Sequence, residues 1–303
     1  MNKDQANENS AHLTTFLLAA LLLCGSALLW LSNSDSRFGG LSSRQSLQMA
    51  GSETMRPLIT ACAEAFMAER PQVDVVVRGG GTGEGIAAAL GGIVDLGMIS
   101  RQLEPSETEF AKSKSFELLV TPIALDGVAV IVHKDNQIRA LQLEQLRGIF
   151  SGEVQNWQAV GGADAPIVRL VRHAGSGTAA IFNHHVGDGN PRSGASIEFA
   201  TNDSIVSEVS RNPNAIGYAS LDSIRLAKDR MRVVGIRVAP DGSIILPNEA
   251  SLRSGTYPLT RQLAFVAVAP MSPAASEFIA FCTGPYGRSL IDRAGFMSSA
   301  RSS

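Results

Sequence analysis

Aromatic residues are scarce: Phe, Trp and Tyr make up 6% of the chain. That is too thin a supply for a surface that stacks sugars or nucleobases. There is no long basic run and the formal net charge is −2, so the electrostatic footprint of a nucleic-acid binder is missing and nucleic acid is excluded as a partner. Cysteines number three, Cys24, Cys62 and Cys282, with no CxxC pair and no Cys/His spacing that would hold a metal. The GxxxxGK[ST] loop is absent and no lysine follows a glycine run, which removes the nucleotide P-loop. No G-x-S-x-G elbow presents a serine nucleophile. No carboxylate cluster suggests magnesium, and no internal repeat is present. An enzyme, a cofactor and a metal are all disfavoured by these absences.

What is present is apolar and rich in glycine. Hydrophobic residues make up 45% and charged residues 18%, and 29 glycines gather in short runs such as Gly79-Gly80-Gly81, Gly91-Gly92 and Gly161-Gly162. Such runs bring backbone close to something. From Leu13 to Ser34 there is no charge, and Phe16–Leu31 is almost wholly apolar. This reads as a cleaved signal peptide or an uncleaved anchor through residues 13–31, and so as export. Ser32–Ser46 reads as a tether, and residues 1–45 are set apart from the fold.

Beyond the tether, Met55, Leu58, Ile59, Cys62 and Phe66 keep the rhythm of a helix with one buried face, capped by Ser52 or Thr54, with Pro57 in its first turn. Val73–Val77 predicts a strand, Ile86–Leu90 a helix and Asp95–Ser100 a strand. The alternation of strand, glycine loop and helix predicts a parallel α/β fold. Further strands are expected at Val128–Val132, Ile167–Arg172, Ile216–Ala219 and Phe265–Val268. Helices are expected at Leu143–Phe150, Thr178–Val186, Ile205–Val209, Ser276–Cys282 and Arg288–Ala294. Asp241-Gly242 predicts a hairpin turn joining Val233–Val238 to Ser243–Leu246. Cys62 and Cys282 fall in helical patterns and are either two buried thiols or, in an oxidising compartment, a disulfide.

Three places share one design: Gly51-Ser52-Glu53-Thr54-Met55, Gly79-Gly80-Gly81-Thr82-Gly83-Glu84-Gly85, and Arg172-His173-Ala174-Gly175-Ser176-Gly177-Thr178. Each follows an extended segment and precedes a helical one. At a helix start the first amides lack partners and the macrodipole is positive, so an anion fits there without a lysine. Glycine admits the ligand to the backbone, and a Ser or Thr hydroxyl adds a donor. Arg172, at a strand end four residues before Ser176, can pair two oxygens of a tetrahedral anion with its guanidinium fork. His173 points opposite to Arg172 along the strand and reads as structural or exposed. His184 and His185 are adjacent on a helix and do not share a face, which argues against a metal pair.

Carried together, these landmarks resemble the phosphate-binding proteins of bacterial ABC importers, the PstS-like family, over nearly all of residues 48–297. The further landmarks are Asp95-Leu96-Gly97-Met98-Ile99-Ser100-Arg101, Leu125–Val132, Ile149-Phe150-Ser151-Gly152, Asn156-Trp157, Asn212–Tyr218, and Tyr257-Pro258-Leu259 with Arg261. The resemblance implies a two-lobed, hinged periplasmic-binding-protein-like α/β fold with a central cleft. Lobe one would take residues 46–124 and 265–303, lobe two 125–264, with a hinge near Leu125–Val132 and Leu259–Val268. It implies inorganic phosphate as ligand, a membrane permease of the ABC type as partner, a monomer, and a periplasmic location. The implied ligand contacts are Ser52, Thr54, Met55, Thr82, Gly83, Arg101, Arg172, Ser176, Gly177 and Thr178. Some members carry an aspartate at the position of Arg101 to accept the proton of hydrogen phosphate. With arginine there, Glu53, Glu84 and Asp126 are the candidate acceptors. Sulfate or tungstate, an enzyme using phosphate, and an envelope scaffold on the same fold are the alternatives.

Overall fold

The computed structural model describes residues 45–187 and 196–299, apart from 226, 228 and 240. The apolar leader, Cys24 and the tether as far as residue 44 lie outside the described residues.

In chain order the structure runs β1 (Gln45–Gly51), α1 (Arg56–Glu69), β2 (Val73–Gly80), α2 (Thr82–Leu90), β3 (Leu96–Ile99), α3 (Pro105–Ser113) and the long strand β4 (Leu118–His133). Then come β5 (Ala140–Gln142), α4 (Leu143–Ser151), β6 (Val168–Arg172), α5 (Gly177–Val186), β7 (Ser196–Phe199), α6 (Asn202–Val209), β8 (Ala215–Ser220), α7 (Leu221–Arg225), β9 (Met231–Arg237) and α8 (Glu249–Arg253). The last elements are β10 (Thr260–Val268), α9 (Pro273–Thr283), α10 (Pro285–Arg293) and β11 (Met297–Ser298).

The strand order is β2-β1-β3-β10-β4-β8-β6-β7. β1 and β3 pair in parallel, as do β6 with β7 and β6 with β8, in line with the alternation of strand and helix in sequence. β10 is antiparallel to both β3 and β4. β4 serves two neighbourhoods. Residues 118–127 pair with β10, and residues 128–133 pair with β8 and β9.

The unbroken apolar run of β4 follows from cover on both faces. Val128, Val130 and Val132 pack with Leu146, Phe150, Phe182 and Tyr218 on one side. Ala129 and Ile131 pack with Ile205, Val206 and Val209 on the other. The other half of the sheet is layered in the same way. One face carries Met49, Ile59, Phe66, Leu96, Phe265 and Phe278. The opposite face carries Ala50, Ile86, Ile99 and Val266.

Cys62 on α1 and Cys282 on α9 are free thiols in that first core. A hydrogen bond from Cys282 holds the Cys62 thiol below its ordinary value, and burial pushes the Cys282 thiol up. The predicted hairpin at Asp241-Gly242 is reduced to a single bridge between Ile236 and Ile245. Ile244 and Leu246 stay about half exposed.

Candidate anion-binding site

The three glycine-hydroxyl turns converge. Contrary to the sequence reading, neither Ser52 nor Thr54 caps α1. The helix starts at Met55 without a side-chain cap, and the Ser52 carbonyl takes the Met55 and Arg56 amides, both at 3.1 Å. Both hydroxyls are thereby turned to other elements. Ser52 Oγ donates to Ser100 Oγ at 2.9 Å, and Thr54 Oγ1 lies 3.4 Å from Thr178 Oγ1. Thr82 Oγ1 accepts the Ser100 amide at 3.0 Å.

The second and third turns are pressed together. α2 begins behind Gly81, whose φ of +115° and a virtual Cβ only 2.8 Å from the Gly175 carbonyl oxygen both demand glycine. The Gly83 amide reaches the same carbonyl at 3.4 Å. A Cβ on Gly177 would collide with Ser100 Oγ and stand 2.6 Å from Thr82 Oγ1. Ser176 caps α5, its Oγ accepting the Thr178 and Ala179 amides at 3.2 and 3.4 Å. Ser52, Thr54, Met55, Thr82, Ser176, Gly177 and Thr178 are all buried.

Two guanidinium groups complete the cluster. Arg172, at the end of β6 and 4% exposed, donates Nη1 to Asn202 Oδ1 at 2.6 Å, Nη2 to the Ala200 carbonyl at 2.7 Å and Nε to the Phe199 carbonyl at 3.2 Å. All three acceptors are neutral. Burial, and then the charge of Arg261, push Arg172 down from the ordinary arginine value to about 10. Its own amide donates to the hydroxyl of Tyr218 at 3.1 Å, whose pKa burial raises to about 12.

Arg261 is the residue that the candidate site lacked. It sits directly across the β4–β10 ladder from Asp126, and the pair is almost wholly buried. Asp126 Oδ2 accepts Nε and Nη2 of Arg261 at 2.9 and 2.7 Å, and the Ser220 hydroxyl at 2.8 Å. The rest of the fork turns to the threonines: Nη1 to Thr178 Oγ1 at 3.0 Å and Nη2 to Thr54 Oγ1 at 3.1 Å. Asn202, at the start of α6, also donates to Thr54 Oγ1 at 3.0 Å. A period-two reading of β10 carried the signal, since Leu259, Arg261, Leu263 and Phe265 alternate with one another and only one is polar. For Asn202 no sequence signal stands out.

Arg101 is not joined to this network. It forms a two-pronged ion pair with Glu107, Nη1 to Oε2 at 2.8 Å and Nη2 to Oε1 at 2.7 Å, and donates to the Gln102 carbonyl. The expected direct anion contact would therefore compete with a bidentate carboxylate. Of the three candidate proton acceptors, Asp126 is engaged by Arg261. Glu53 accepts the Gly80 amide and Arg56 Nε, and Glu84 packs against Gly80. His173 borders a hollow of about 480 Å³ with Glu53, Gly80, Glu198 and Phe199–Thr201, beside the carbonyls that hold Arg172. His184 and His185 are neighbours at the last turn of α5, with ring centroids 4.8 Å apart. Among the described residues no group of three or more His, Cys, Asp or Glu is arranged to hold a metal.

The chain is similar to known proteins in sequence and in fold. The family model of the PBP superfamily domain matches residues 38–285. The phosphate-binding protein PstS of Bacillus subtilis is 32% identical over 228 residues, 75% of this chain and 72% of that one. PstS of Pseudomonas aeruginosa is 27% identical over 271 residues, 83% and 82% of the two chains. Among solved structures, a Clostridium perfringens protein assigned as a phosphate ABC transporter substrate-binding protein, with bound phosphate, superposes with a TM-score of 0.74 at 29% identity. It covers 84% of this chain and all of its own. A phosphate transport receptor of the ABC type from Vibrio cholerae gives a TM-score of 0.69 at 27% identity, covering 83% and 99%. This chain thus has the two-lobed α/β fold of periplasmic binding proteins, and belongs to the PBP superfamily and, within it, to the PstS-like family of phosphate-binding proteins.

Proposed function

We propose that this protein captures inorganic phosphate and hands it to a membrane permease, as the substrate-binding component of an ABC-type importer. One observation carries the reading. Two buried guanidinium groups stand beside a single carboxylate, so the cluster holds an excess positive charge where water is excluded. A buried cation whose hydrogen-bond partners are all neutral is costly, and a tetrahedral anion among the hydroxyls of Thr54, Thr82, Ser176 and Thr178 would offset that cost. The amides of Met55, Gly83 and Gly177 belong to helix starts at the same place and add positive potential. Ser52 supports the cluster through Ser100.

The lobe boundaries follow from the same picture: residues 46–124 and 265–303 in one lobe, 125–264 in the other, with the crossing at the β4–β10 ladder. A ligand gripped by Thr54 and Thr82 on one side and by Arg172 and Thr178 on the other stabilises the closed form, because its contacts are better there. The leader fits export to the periplasm, with residues 13–31 as signal or anchor, and the protein acts as a monomer.

Calorimetric titration of the full chain with phosphate, sulfate and arsenate tests this. Saturable binding of phosphate is expected, and a chain that takes up none of the three anions would falsify it. Sulfate stands as the second reading on a specific ground. Asp126 and Glu53, the carboxylates nearest the cluster, are already engaged by donors, and the proton of hydrogen phosphate is what ordinarily sets phosphate apart from sulfate.

A further inference from the structure

Thr54 and Thr178 are hydrogen-bonded in an unusual sense: both are surrounded by donors. A hydroxyl has one proton to give and two lone pairs to fill. Thr54 Oγ1 receives Arg261 Nη2 at 3.1 Å and Asn202 Nδ2 at 3.0 Å, which uses both lone pairs. Thr178 Oγ1 receives Arg261 Nη1 at 3.0 Å, which uses one of its two lone pairs, and lies 3.4 Å from Thr54 Oγ1. Neither bond to Thr54 can be reversed, since arginine has no acceptor atom and the Asn202 amide oxygen is taken by Arg172. The fork cannot swing away either. Asp126 Oδ2 holds Nε and Nη2 together, Ser220 holds Asp126, and the pair faces across adjoining strands.

We propose that Arg261 is a positioning residue for ligand specificity: fixed by Asp126, it fills, together with Asn202, both acceptor sites on Thr54 and one of the two on Thr178, so that Thr54 cannot accept a proton from the ligand. This rests on the anion reading above. It adds that the cluster distinguishes protonation states, favouring the anion whose oxygen facing Thr54 carries no proton. Arg172, a donor on every edge, acts in the same sense. Phosphate should therefore bind more tightly as pH rises through its second ionisation, and sulfate, which has no proton at neutral pH, should compete.

The charged and titratable groups around the two threonines are Arg172 on β6, Arg261 on β10, Asp126 on β4 and Tyr218 on β8. Glu53 and Asp203 act on Arg172 from farther out, Asp126 acts on Asp222, and His173 borders the adjoining hollow. Titrations common to wild type and variant cancel when their slopes are compared.

The test is the pH dependence of phosphate affinity, by calorimetry on the full chain, in wild type and in an Asp126→Asn/Arg261→Met double variant. The double variant removes one charge of each sign, leaves the net charge of the cluster unchanged and strands no buried ion. Its fold is checked by circular dichroism. Wild-type affinity should rise with pH. The double variant should bind about tenfold more weakly and lose most of the rise, because Thr54 then has a lone pair free to accept a P–OH proton. A folded double variant that keeps the wild-type slope overturns the inference while leaving phosphate capture standing, and so does a wild type whose affinity ignores pH. If the double variant does not fold, Arg261→Lys replaces it. A single ammonium that keeps the ion pair cannot serve both hydroxyls in a planar fork, so a flattened slope supports the inference and an unchanged slope overturns it. A wild type that binds neither phosphate nor sulfate removes the anion reading and this inference together.

Discussion

Replacing Arg172 with methionine should separate binding from stability. Arg172 is held near a pKa of about 10, chiefly by burial. At ~1.4 kcal/mol per pH unit, a fall of that size means that the protein alone holds the charge at a cost of about 3 kcal/mol. Methionine removes this cost. It also strands three acceptors, the carbonyls of Phe199 and Ala200 and the Asn202 amide oxygen, at roughly 1 kcal/mol each or more. The two effects are of similar size and opposite sign, so the melting temperature should move by only a few degrees. Binding has no such compensation. A charge-assisted hydrogen bond to an anion is worth about 1.5–3 kcal/mol, which is roughly a tenfold to hundredfold loss of affinity. Calorimetry for phosphate and thermal unfolding on one preparation give both quantities. A folded Arg172→Met protein with an unchanged dissociation constant would refute the excess-charge argument.

Gly177→Ala keeps a helical residue but adds a methyl against Ser100 and Thr82. It should weaken phosphate binding at least tenfold (about 1.4 kcal/mol) by holding the third turn off the second, read by the same titration. Arg101→Ala, by contrast, removes a guanidinium that stands beside Gly83 but is committed to Glu107, and should change affinity by less than about threefold, under ~1 kcal/mol; a hundredfold loss would make Arg101 a direct ligand contact. Asp222 has a pKa raised to about 6, mainly by burial and then by Asp126. Its folded value lies above its unfolded one, so the protein loses stability as pH rises from the unfolded value to about 6. Asp222→Asn should therefore stabilise by about 1 kcal/mol at neutral pH, after allowance for solvent screening. The gain should fade as pH is lowered through 6, which thermal melts at several pH values will show.

Much of the fold was legible because its signals are local. The apolar run of β4 and the helical rhythm of α1 needed no knowledge of distant residues. The third turn was legible too, since an arginine at a strand end, glycines and a capping serine lie within seven positions. The first turn was misread at the level of hydroxyls. Ser52 and Thr54 look like caps in sequence, but Met55 takes the N-cap position, and only the approach of Ser100 and Thr178 reveals where those hydroxyls go. Arg261 and Asp126 occupy inward positions of alternating strands, Leu259-Arg261-Leu263 and Ala124-Asp126-Val128. Each alone is an oddity, and their pairing is set by strand order across a separation of 135 residues. The pairing of Arg101 with Glu107 was not legible, because a strand-end arginine says nothing about a carboxylate six residues on that lies on the next helix. Asn202 carries no mark in sequence, because its role depends on Arg172 and Thr54 coming from two different elements.

The sheet also sets an order of events for a chain made from its N-terminus. β3 is complete by residue 99 and β4 by residue 133, yet β10, from residue 260 on, lies between them. Until that late segment arrives, β3 and the first part of β4 have unpaired edges facing one another, open to a wrong partner. The later part of β4 waits less long, because its partners β8 and β9 both precede β10 in the chain. The half encoded in the middle of the sequence can therefore mature first, with the half that holds both ends of the described fold closing last around the Asp126–Arg261 rung.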